Sequence, residues 1–402
     1  MALKLLINSL FKGGAEKQFA ALAALLPHDA MLLLEREVSQ ETGASKPVFL
    51  SPHGPSTPSV FKTACIPAYA RRLAALAGPG DTVLSFMERA NLVNILAARK
   101  SGHRAVICER TRPSGEFSGL RGVLMRPLIK RFYPSADMIV ANSQGVKRDL
   151  ADRFSVPAEK IKVIPNGCDT GDIARKASQP LDAAYAAVFK RPVVITSGRL
   201  TAAKGQWHLL RFFRKVKDSD RDAALVLLGE GGLKNYLAGL SRELGFKTFS
   251  GAGAPPPDAD VYFPGFQDNP YRFISKARLF VFTSLWEGFP NSLVEAMAAG
   301  AAVLSADCLS GPREILSPET PIHFRALKAE PAPYGILMPV LSGLRRKAST
   351  PLEPAEENWA GMVSAMLSDQ EALDKYSRAG VRRAADFELS RIAPLWRKLL
   401  YE

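Results

Sequence analysis

The alternation of strand-like and helix-like segments predicts an α/β protein with doubly wound parallel sheets. Short apolar runs at 105–108, 161–164 and 193–196 are typical of buried strands. Stretches with helical character, such as 15–26 and 207–216, lie between such runs. With 402 residues, of which 47% are hydrophobic, the chain is long enough for two packed cores. We therefore expect two domains of this class rather than one α+β domain.

The boundary between the domains is expected between Asn166 and Pro192, where polar residues separate two predicted strands. We predict an N-terminal domain of residues 1–170 and a C-terminal domain of residues 171–375. Residues 376–402 form a final, helical segment.

Two carboxylates eight positions apart, Glu287 and Glu295, mark the most informative segment of the sequence. The run 278–284 is a predicted strand, so Glu287 should lie in the loop at its carboxyl end and Glu295 in the following helix. A helix that begins near Pro290 presents backbone N–H groups and the positive end of its dipole to a diphosphate. The carboxylates can accept hydrogen bonds from sugar hydroxyl groups. The combination predicts a nucleotide-sugar site.

Each carboxylate also has a simpler interpretation. Ser292 and Glu295 have the spacing of a capping box, in which Glu295 binds a backbone N–H at the start of the helix. An isolated Glu287 in a loop is more often a solvated surface residue than a ligand contact. The spacing alone does not decide between these interpretations and ligand binding.

The segment 287–300 resembles the E-x7-E motif of glycosyltransferase family 4. Other segments resemble further motifs of that family, in the same order: Ile164–Asp169, Ser197–Gly205 with its G-R-L-x-x-x-K-G pattern, Leu227–Gly232, and Phe263–Phe266 beside the expected base. The resemblance is strong over 140–314 and looser before residue 140. Within the family, the chain is most similar to bacterial enzymes that add N-acetylhexosamine to polyprenyl-diphosphate-linked oligosaccharides.

The resemblance implies the GT-B fold, in which two Rossmann-like domains face a cleft, and a transfer that retains the anomeric configuration. It also implies that the segment 376–402 crosses back to the N-terminal domain, and that the donor is a nucleotide sugar, most commonly linked to UDP. The residues then expected to bind the donor are Gly13, Gly14, Arg199, Lys204, Gly229, Gly265, Phe266, Glu287, Gly288, Phe289, Pro290, Asn291, Ser292, Leu293 and Glu295.

Four residues are expected to carry catalysis: Glu287, Arg199, Lys204 and Glu109. The two cations are expected to stabilise the departing nucleoside diphosphate without a metal ion. Many family members carry a His after the corresponding strand of the first domain, but this chain has Glu109 and Arg110 there. Glu109 is expected to act as a base for the acceptor hydroxyl or to orient it. A structural Arg–Glu pair at a strand end fits the sequence equally well.

The chain is strongly basic, with 53 Lys and Arg against 39 Asp and Glu, a formal net charge of +14. Basic residues concentrate between residues 110 and 131, together with many apolar ones, although Pro127 interrupts the amphipathic pattern. Such a segment is typical of a helix beside anionic membrane lipids or the phosphates of a lipid-linked acceptor. The alternative is a partly buried helix with solvated cations. The residues expected to contact acceptor or membrane are Arg110, Arg112, Arg121, Arg126, Lys130 and Arg131.

The sequence carries no motif for a metal, a cofactor or a nucleic acid. The four cysteines are scattered without C-x-x-C spacing, so neither a zinc site nor a disulfide framework is expected. The sequence lacks a signal-peptide pattern and a run of about 18 apolar residues. We therefore expect a cytoplasmic protein attached peripherally to the inner face of the cell membrane.

Three functions fit these observations. The first is transfer of a hexose or N-acetylhexosamine from a nucleotide sugar to a lipid-linked saccharide, in the assembly of bacterial surface glycans or glycoprotein oligosaccharides. The second keeps the donor chemistry but extends lipopolysaccharide core, capsule or a soluble acceptor. The third is a non-catalytic GT-B protein that binds a nucleotide sugar or a membrane. The presence of Glu287, Glu295, Arg199 and Lys204 argues against the third.

Overall fold

The computed structural model describes residues 2–11, 13–39, 46–117, 119–251 and 253–402, except the side chains of Leu120 and Arg121. The chain forms two compact units. The N-terminal unit comprises Met1–Gly167 and Leu389–Glu402, and the C-terminal unit comprises Cys168–Glu388. The chain thus changes unit at Gly167 rather than at residue 170. It returns at Leu389, so residues 376–388 of the predicted final segment belong to the C-terminal unit.

Strands and helices alternate in the N-terminal unit. The elements are β1 (Leu3–Ile7), α1 (Gly14–Leu25), β2 (Ala30–Leu33), β3 (Val48–Phe49), α2 (Ser59–Ala64), α3 (Ile66–Ala74), β4 (Thr82–Phe86), α4 (Glu88–Ser101), β5 (Arg104–Glu109), α5 (Pro113–Glu116), α6 (Gly119–Phe132), β6 (Met138–Ala141), α7 (Gln144–Phe154) and β7 (Ile161–Val163). These strands pair in parallel in the order β3-β2-β1-β4-β5-β6-β7. The order reverses between β1 and β4, where doubly wound sheets open a crevice beyond the carboxyl ends of the strands.

The C-terminal unit repeats this arrangement. Its elements are α8 (Thr170–Ala177), α9 (Ala183–Val188), β8 (Val193–Ser197), α10 (Gln206–Ser219), β9 (Ala224–Leu228), α11 (Lys234–Glu243), β10 (Thr248–Ser250), β11 (Val261–Gly265), α12 (Tyr271–Ile274), β12 (Leu279–Phe282), α13 (Asn291–Ala298), β13 (Val303–Ala306), α14 (Pro312–Leu316), β14 (Glu330–Ala332), β15 (Gly335–Met338), α15 (Pro354–Ser368) and α16 (Gln370–Ala384). The sheet order is β10-β11-β9-β8-β12-β13-β15-β14. Its reversal lies between β8 and β12.

The predicted fold class, two doubly wound parallel sheets, is confirmed. One edge of the second sheet differs, because β14 runs antiparallel to β15. The two strands are joined by a tight turn at Pro333 and Tyr334. A connection that short can join only antiparallel neighbours, since a parallel pair needs a crossover of about a dozen residues or more.

The last helix, α17 (Leu389–Tyr401), belongs to the N-terminal unit. Its residues Ile392, Trp396 and Leu400 are buried in the apolar core beneath β1 and α1. The Trp396 ring stacks on Phe86 with the ring centroids 6.4 Å apart. Burial of this face explains why the helix is held against the N-terminal sheet.

The helix α6 contains Pro127 in its interior. A proline inside a helix removes one backbone hydrogen bond, here the one to the carbonyl of Val123. Val123 is 75% exposed and Pro127 also faces solvent, so water can replace the missing donor. The helix therefore accommodates this proline on its solvent side.

A buried ion cluster fixes α10 against α15 in the C-terminal unit. The carboxylate of Glu356 accepts hydrogen bonds from His208 Nδ1 at 2.7 Å and from Arg211 Nε at 2.9 Å. His208 Nε2 accepts the N–H of Gly343 at 3.2 Å, so Nδ1 is the nitrogen that carries the proton. Burial alone would raise the pKa of Glu356, but the hydrogen bonds from His208 and Arg211 outweigh it and lower that pKa to about 2.

Replacing Glu356 by Gln is expected to destabilise the C-terminal unit by about 3–5 kcal/mol near neutral pH, because its buried partners lose their carboxylate. The matched control is Glu357→Gln at the neighbouring, half-buried position, whose 42% exposed side chain pairs with Lys215. The control should change the free energy of unfolding by less than about 1 kcal/mol. Denaturant unfolding followed by tryptophan fluorescence measures both variants.

Wild type and Glu356→Gln together also test how the stabilisation by Glu356 depends on pH. The pKa of Glu356 falls from an ordinary value of 4.5 to about 2 on folding, so its stabilisation is present above the ordinary value and is lost as the pH falls toward 2. The difference in unfolding free energy between wild type and Glu356→Gln should shrink over that range. A difference that stayed constant down to about pH 3 would contradict this account.

Candidate active site

The loops after β8 and β12 meet at the carboxyl edge of the C-terminal sheet, on either side of the reversal in strand order. Thr283 Oγ1 donates to the carbonyl of Lys204 at 2.9 Å, and Leu285 N donates to the carbonyl of Ala203 at 2.8 Å. At the centre, Lys204 Nζ donates to Glu287 Oε1 in an ion pair. Two residues predicted from separate motifs are therefore brought into direct contact.

The surroundings of this pair are only partly open to water. The side chains of Lys204 and Glu287 are 20% and 12% exposed, and Lys204 Nζ lies 5.1 Å from the centre of the Phe282 ring. Cys308 lies close by, and burial followed by the negative charge of Glu287 raises the pKa of its thiol. Such partial burial strengthens the attraction between Lys204 and any anion that approaches the loop.

The helix α13 follows the Glu287 loop directly. It begins at Asn291, with Ser292 and Leu293 in its first turn. In α13, every residue of which is described, no side chain caps the N-terminus, so Ser292 and Glu295 do not form the capping box that the sequence allowed. The capping interpretation of Glu295 was wrong because the helix starts one residue before Ser292. Glu295 lies in the second turn and is half-buried.

Gly288, Phe289 and Pro290 are buried, although they belong to a loop. A Cβ atom on Gly311 would collide with Cδ of Pro290 and lie 3.2 Å from the carbonyl oxygen of Gly288. Gly311 also has φ of +91°, which favours glycine. The turn after β13 thus packs closely against the Glu287 loop and restricts its position. Gly311 is not among the residues predicted from the sequence, although the Gly-Pro pair that opens α14 is a turn signal.

The loops after β8, β9 and β11 pack equally closely. A Cβ atom on Gly229, whose φ is +129°, would collide with the carbonyl oxygen of Gly198. Gly229 N in turn donates to the carbonyl of Gly265 at 2.9 Å. Arg199 and Phe266 belong to these loops, and their side chains are exposed. The predicted residues from four motifs thus share one edge of the C-terminal sheet.

Gly13 and Gly14 belong to the N-terminal unit, where Gly13 precedes the first residue of α1. A Cβ atom on Gly13 would collide with the carboxylate of Glu16. Glu16 therefore occupies the space beside the first turn, where a negative charge complements the helix dipole. The neighbouring Lys12 lies outside the described residues.

Glu109 ends β5 and is almost completely buried. Its carboxylate accepts hydrogen bonds from the backbone N–H groups of Arg110 and Thr111, the Thr111 hydroxyl and the Tyr133 hydroxyl, each at 3.1 Å. Burial, followed by the negative charge of Glu88, raises the pKa of Glu109 to about 8. Donors from its own unit surround this carboxylate, but the Arg110 guanidinium is not one of them, so the two side chains do not form the structural Arg–Glu pair that the sequence left open.

Arg110 is held between aromatic rings rather than extended into solvent. Its guanidinium carbon lies 4.6 Å from the centre of the Phe86 ring and 5.3 Å from that of Trp396. Arg110 Nη1 donates to Asn166 Oδ1 at 3.0 Å. Burial lowers the pKa of Arg110. These contacts connect β5 to α17 and to the end of the first chain segment.

The other predicted acceptor residues lie on or near α6. Lys130 and Arg131 are exposed, and the exposed Arg126 donates to the carbonyl of Ser114 at 2.7 Å. Arg112 is instead paired with Asp149 at 3.2 Å, and the side chain of Arg121 lies outside the described part of the chain. Next to the exposed cations, α6 leaves Val123 and Leu124 exposed, 75% and 49% respectively.

Across the residues that the structure describes, no three or more His, Cys, Asp or Glu side chains cluster in a way that would hold a metal ion. The cysteines are free thiols. None of the described helices has the length and apolar character that a bilayer crossing requires.

Comparison with known proteins agrees with this geometry. The model described as Glycosyltransferase Family 4 matches residues 12–172, and the model described as Glycosyl transferases group 1 matches residues 180–323. An uncharacterised glycosyltransferase of Methanocaldococcus jannaschii is 32% identical over 80% of this chain and 79% of its own.

A second relative comes from Campylobacter jejuni. It is N-acetylgalactosamine-N,N'-diacetylbacillosaminyl-diphospho-undecaprenol 4-alpha-N-acetylgalactosaminyltransferase, which is 32% identical over 78% of this chain and 82% of its own. Among solved structures, HepE of Anabaena in complex with UDP and glucose superposes over the full length of both chains, with a TM-score of 0.74 and 20% identity. Together, the matches and the fold show that the chain belongs to glycosyltransferase family 4 and is a hexosyltransferase with the GT-B fold.

Proposed function

We propose that the protein transfers a hexose or N-acetylhexosamine from a UDP-linked sugar to a lipid-linked saccharide, with retention of the anomeric configuration. We place the reaction at the cytoplasmic face of the cell membrane. The observation that carries the donor half of this proposal is the Lys204–Glu287 pair at the strand-order reversal of the C-terminal sheet. Ligands of doubly wound sheets bind at that reversal.

The chemistry follows from the charges at this edge. Glycosyl transfer builds negative charge on the departing diphosphate, and Arg199, Lys204 and the backbone amides at the start of α13 supply positive charge there. Glu287 accepts hydrogen bonds from sugar hydroxyl groups and keeps Lys204 in position before the donor binds. When the diphosphate arrives, it competes with Glu287 for the ammonium group.

Two of the similar proteins support the choice of substrates. HepE of Anabaena was crystallised with UDP and glucose, which favours UDP as the nucleotide. The name of the Campylobacter relative describes an undecaprenyl-diphosphate-linked saccharide as acceptor, which favours a polyprenyl-diphosphate-linked saccharide here. We assign no base to the acceptor hydroxyl, because the carboxylate of Glu109 is already surrounded by donors.

The outer face of α6 supports attachment to an anionic membrane. It combines the exposed cations Arg126, Lys130 and Arg131 with the exposed apolar side chains of Val123 and Leu124. A helix that offers both kinds of side chain binds the interface of an anionic bilayer through charge and apolar contact together. The bound enzyme would then meet a lipid-linked acceptor in the same plane.

The central prediction concerns Glu287. Replacing Glu287 by Gln should lower kcat/KM for the donor by about 10- to 100-fold, since one hydrogen bond to a charged group contributes about 1.5–3 kcal/mol. The control is Glu243→Gln, an exposed glutamate at the far end of α11, which should behave as wild type. The measurement is release of UDP from a panel of UDP-sugars supplied with lipid extract.

Activity of Glu287→Gln equal to that of the control would contradict the donor assignment. A product with an inverted anomeric carbon, read by NMR, would contradict retention. Transfer that required a lipid-free acceptor would contradict the lipid-linked part while leaving the donor site in place.

The reaction is also expected to need no metal ion, since Arg199, Lys204 and the α13 amides supply the positive charge. The rate of UDP release in excess EDTA should equal the rate without it. Loss of activity in EDTA that added Mg²⁺ or Mn²⁺ restored would show that the protein cations are insufficient.

The membrane contact is tested by the double variant Arg126→Glu with Lys130→Glu. It should lose most of its recovery with vesicles that contain phosphatidylglycerol, because reversing two charges removes about 1 kcal/mol per cation and adds repulsion. The control reverses two exposed cations on other helices, Lys100→Glu and Arg153→Glu. Equal recovery of both double variants, together with unchanged turnover of the lipid acceptor, would exclude α6 as the contact.

A further inference from the structure

A cavity of about 360 Å³ lies in the C-terminal unit at the edge of the sheet opposite the Glu287 loop. Pro192, Arg278 and Ala302 line it, and they immediately precede β8, β12 and β13. The donor residues follow the carboxyl ends of β8 and β12. Since each residue of a strand advances about 3.3 Å, the two sites are roughly 15 Å apart along β8. The cavity is therefore separate from the donor site.

The side chains around this cavity are unusually basic. Lys190, Arg191, Lys276 and Arg278 line it, against a single lining carboxylate, Asp374. Like charges gathered around one cavity repel each other, so the arrangement favours a bound anion. The volume is near the lower end for small-molecule sites, which are about 300–1,000 Å³.

The cations differ in their availability. Arg191 is fully engaged, since its guanidinium donates to the carbonyls of Pro257 at 2.8 Å and Ala259 at 2.7 Å and pairs with Asp222. Arg278 donates through Nε to a carbonyl at 2.7 Å, which leaves its two terminal amino groups. Among the residues that the structure describes, none pairs with those groups or with the ammonium groups of Lys190 and Lys276.

The opposite wall of the cavity is formed by α16 and carries hydroxyl-binding groups. The Asp374 carboxylate accepts one hydrogen bond from Gln370 at 2.7 Å and retains further acceptor positions. Ser377 donates to the carbonyl of Gly300 at 2.7 Å. A carboxylate would repel a bare phosphate, but it can accept hydrogen bonds from the hydroxyl groups of a molecule whose phosphate lies on the basic wall.

We infer that this cavity is a second ligand site, which takes a small phosphorylated sugar through Lys190, Lys276 and Arg278 on its phosphate and Asp374 on its hydroxyl groups. The three cations provide charge-assisted hydrogen bonds to phosphate oxygens. The helix α13 runs from the donor loop to this cavity, since it begins beside Pro290 and is followed by Gly300 in the cavity wall.

Calorimetric titration with glucose 6-phosphate tests the site. The host is the double variant Arg199→Ala with Lys204→Ala, which removes the phosphate-binding cations of the donor edge. Adding Lys190→Ala and Lys276→Ala to this host should weaken binding by at least about tenfold, because two charged donors are lost. Adding Lys100→Ala and Arg382→Ala instead, two exposed cations outside the cavity, should leave binding unchanged. Equal binding in the two derived proteins would overturn the proposal.

The sugar part of the inference has its own test. The host should bind glucose 6-phosphate more tightly than inorganic phosphate, and Asp374→Asn should tighten the binding of inorganic phosphate while removing that preference. Tighter binding of inorganic phosphate to the host would overturn the sugar assignment. Displacement of glucose 6-phosphate by phosphatidylinositol vesicles would assign the cavity to a lipid head group instead of a soluble ligand.

Discussion

The adjacency of β8 and β12 in the C-terminal sheet determines the rest of the donor edge. It places the Lys204 loop against the Glu287 loop, where Thr283 and Leu285 tie the two backbones together before the side chains pair. Gly205 has no room for a side chain, since a Cβ atom would lie 2.7 Å from the carbonyl oxygen of Thr283. The ion pair is therefore a consequence of backbone packing, and its position is fixed by contacts that carry no charge.

The packing behind the loops maintains this position. The helix α10 starts two residues after Lys204, and its buried residues His208 and Arg211 are anchored on Glu356. A shift of α10 would separate these groups in a low-dielectric interior, where an unpaired charge is costly. On the other side, Gly311 holds Pro290 and hence the start of α13. Buried polar contacts and close backbone approach thus both stabilise this small region of the C-terminal unit.

The N-terminal unit uses its equivalent edge differently. There the strand-end carboxylate, Glu109, is surrounded by donors, and Arg110 lies between the rings of Phe86 and Trp396. Arg110 thereby joins β5 to α17, whereas Glu109 is bonded to the backbone and side chain just after β5 and to Tyr133. The carboxyl edge of a doubly wound sheet can therefore serve either ligand binding or internal packing, depending on which partners the fold supplies.

The sequence by itself determined the two α/β units, the positions of most strands and the donor motifs, because strand periodicity and short βα loops are local properties. It also located Lys204 and Glu287 separately. Only the tertiary structure decided that these two residues touch, that Ser292 does not cap α13, that α6 passes through Pro127, and that Glu109 is enclosed. Each of these depends on which residues distant in sequence become neighbours, and on how much water reaches them. For Lys204 and Glu287 the deciding factor is strand order, which a local sequence pattern does not contain.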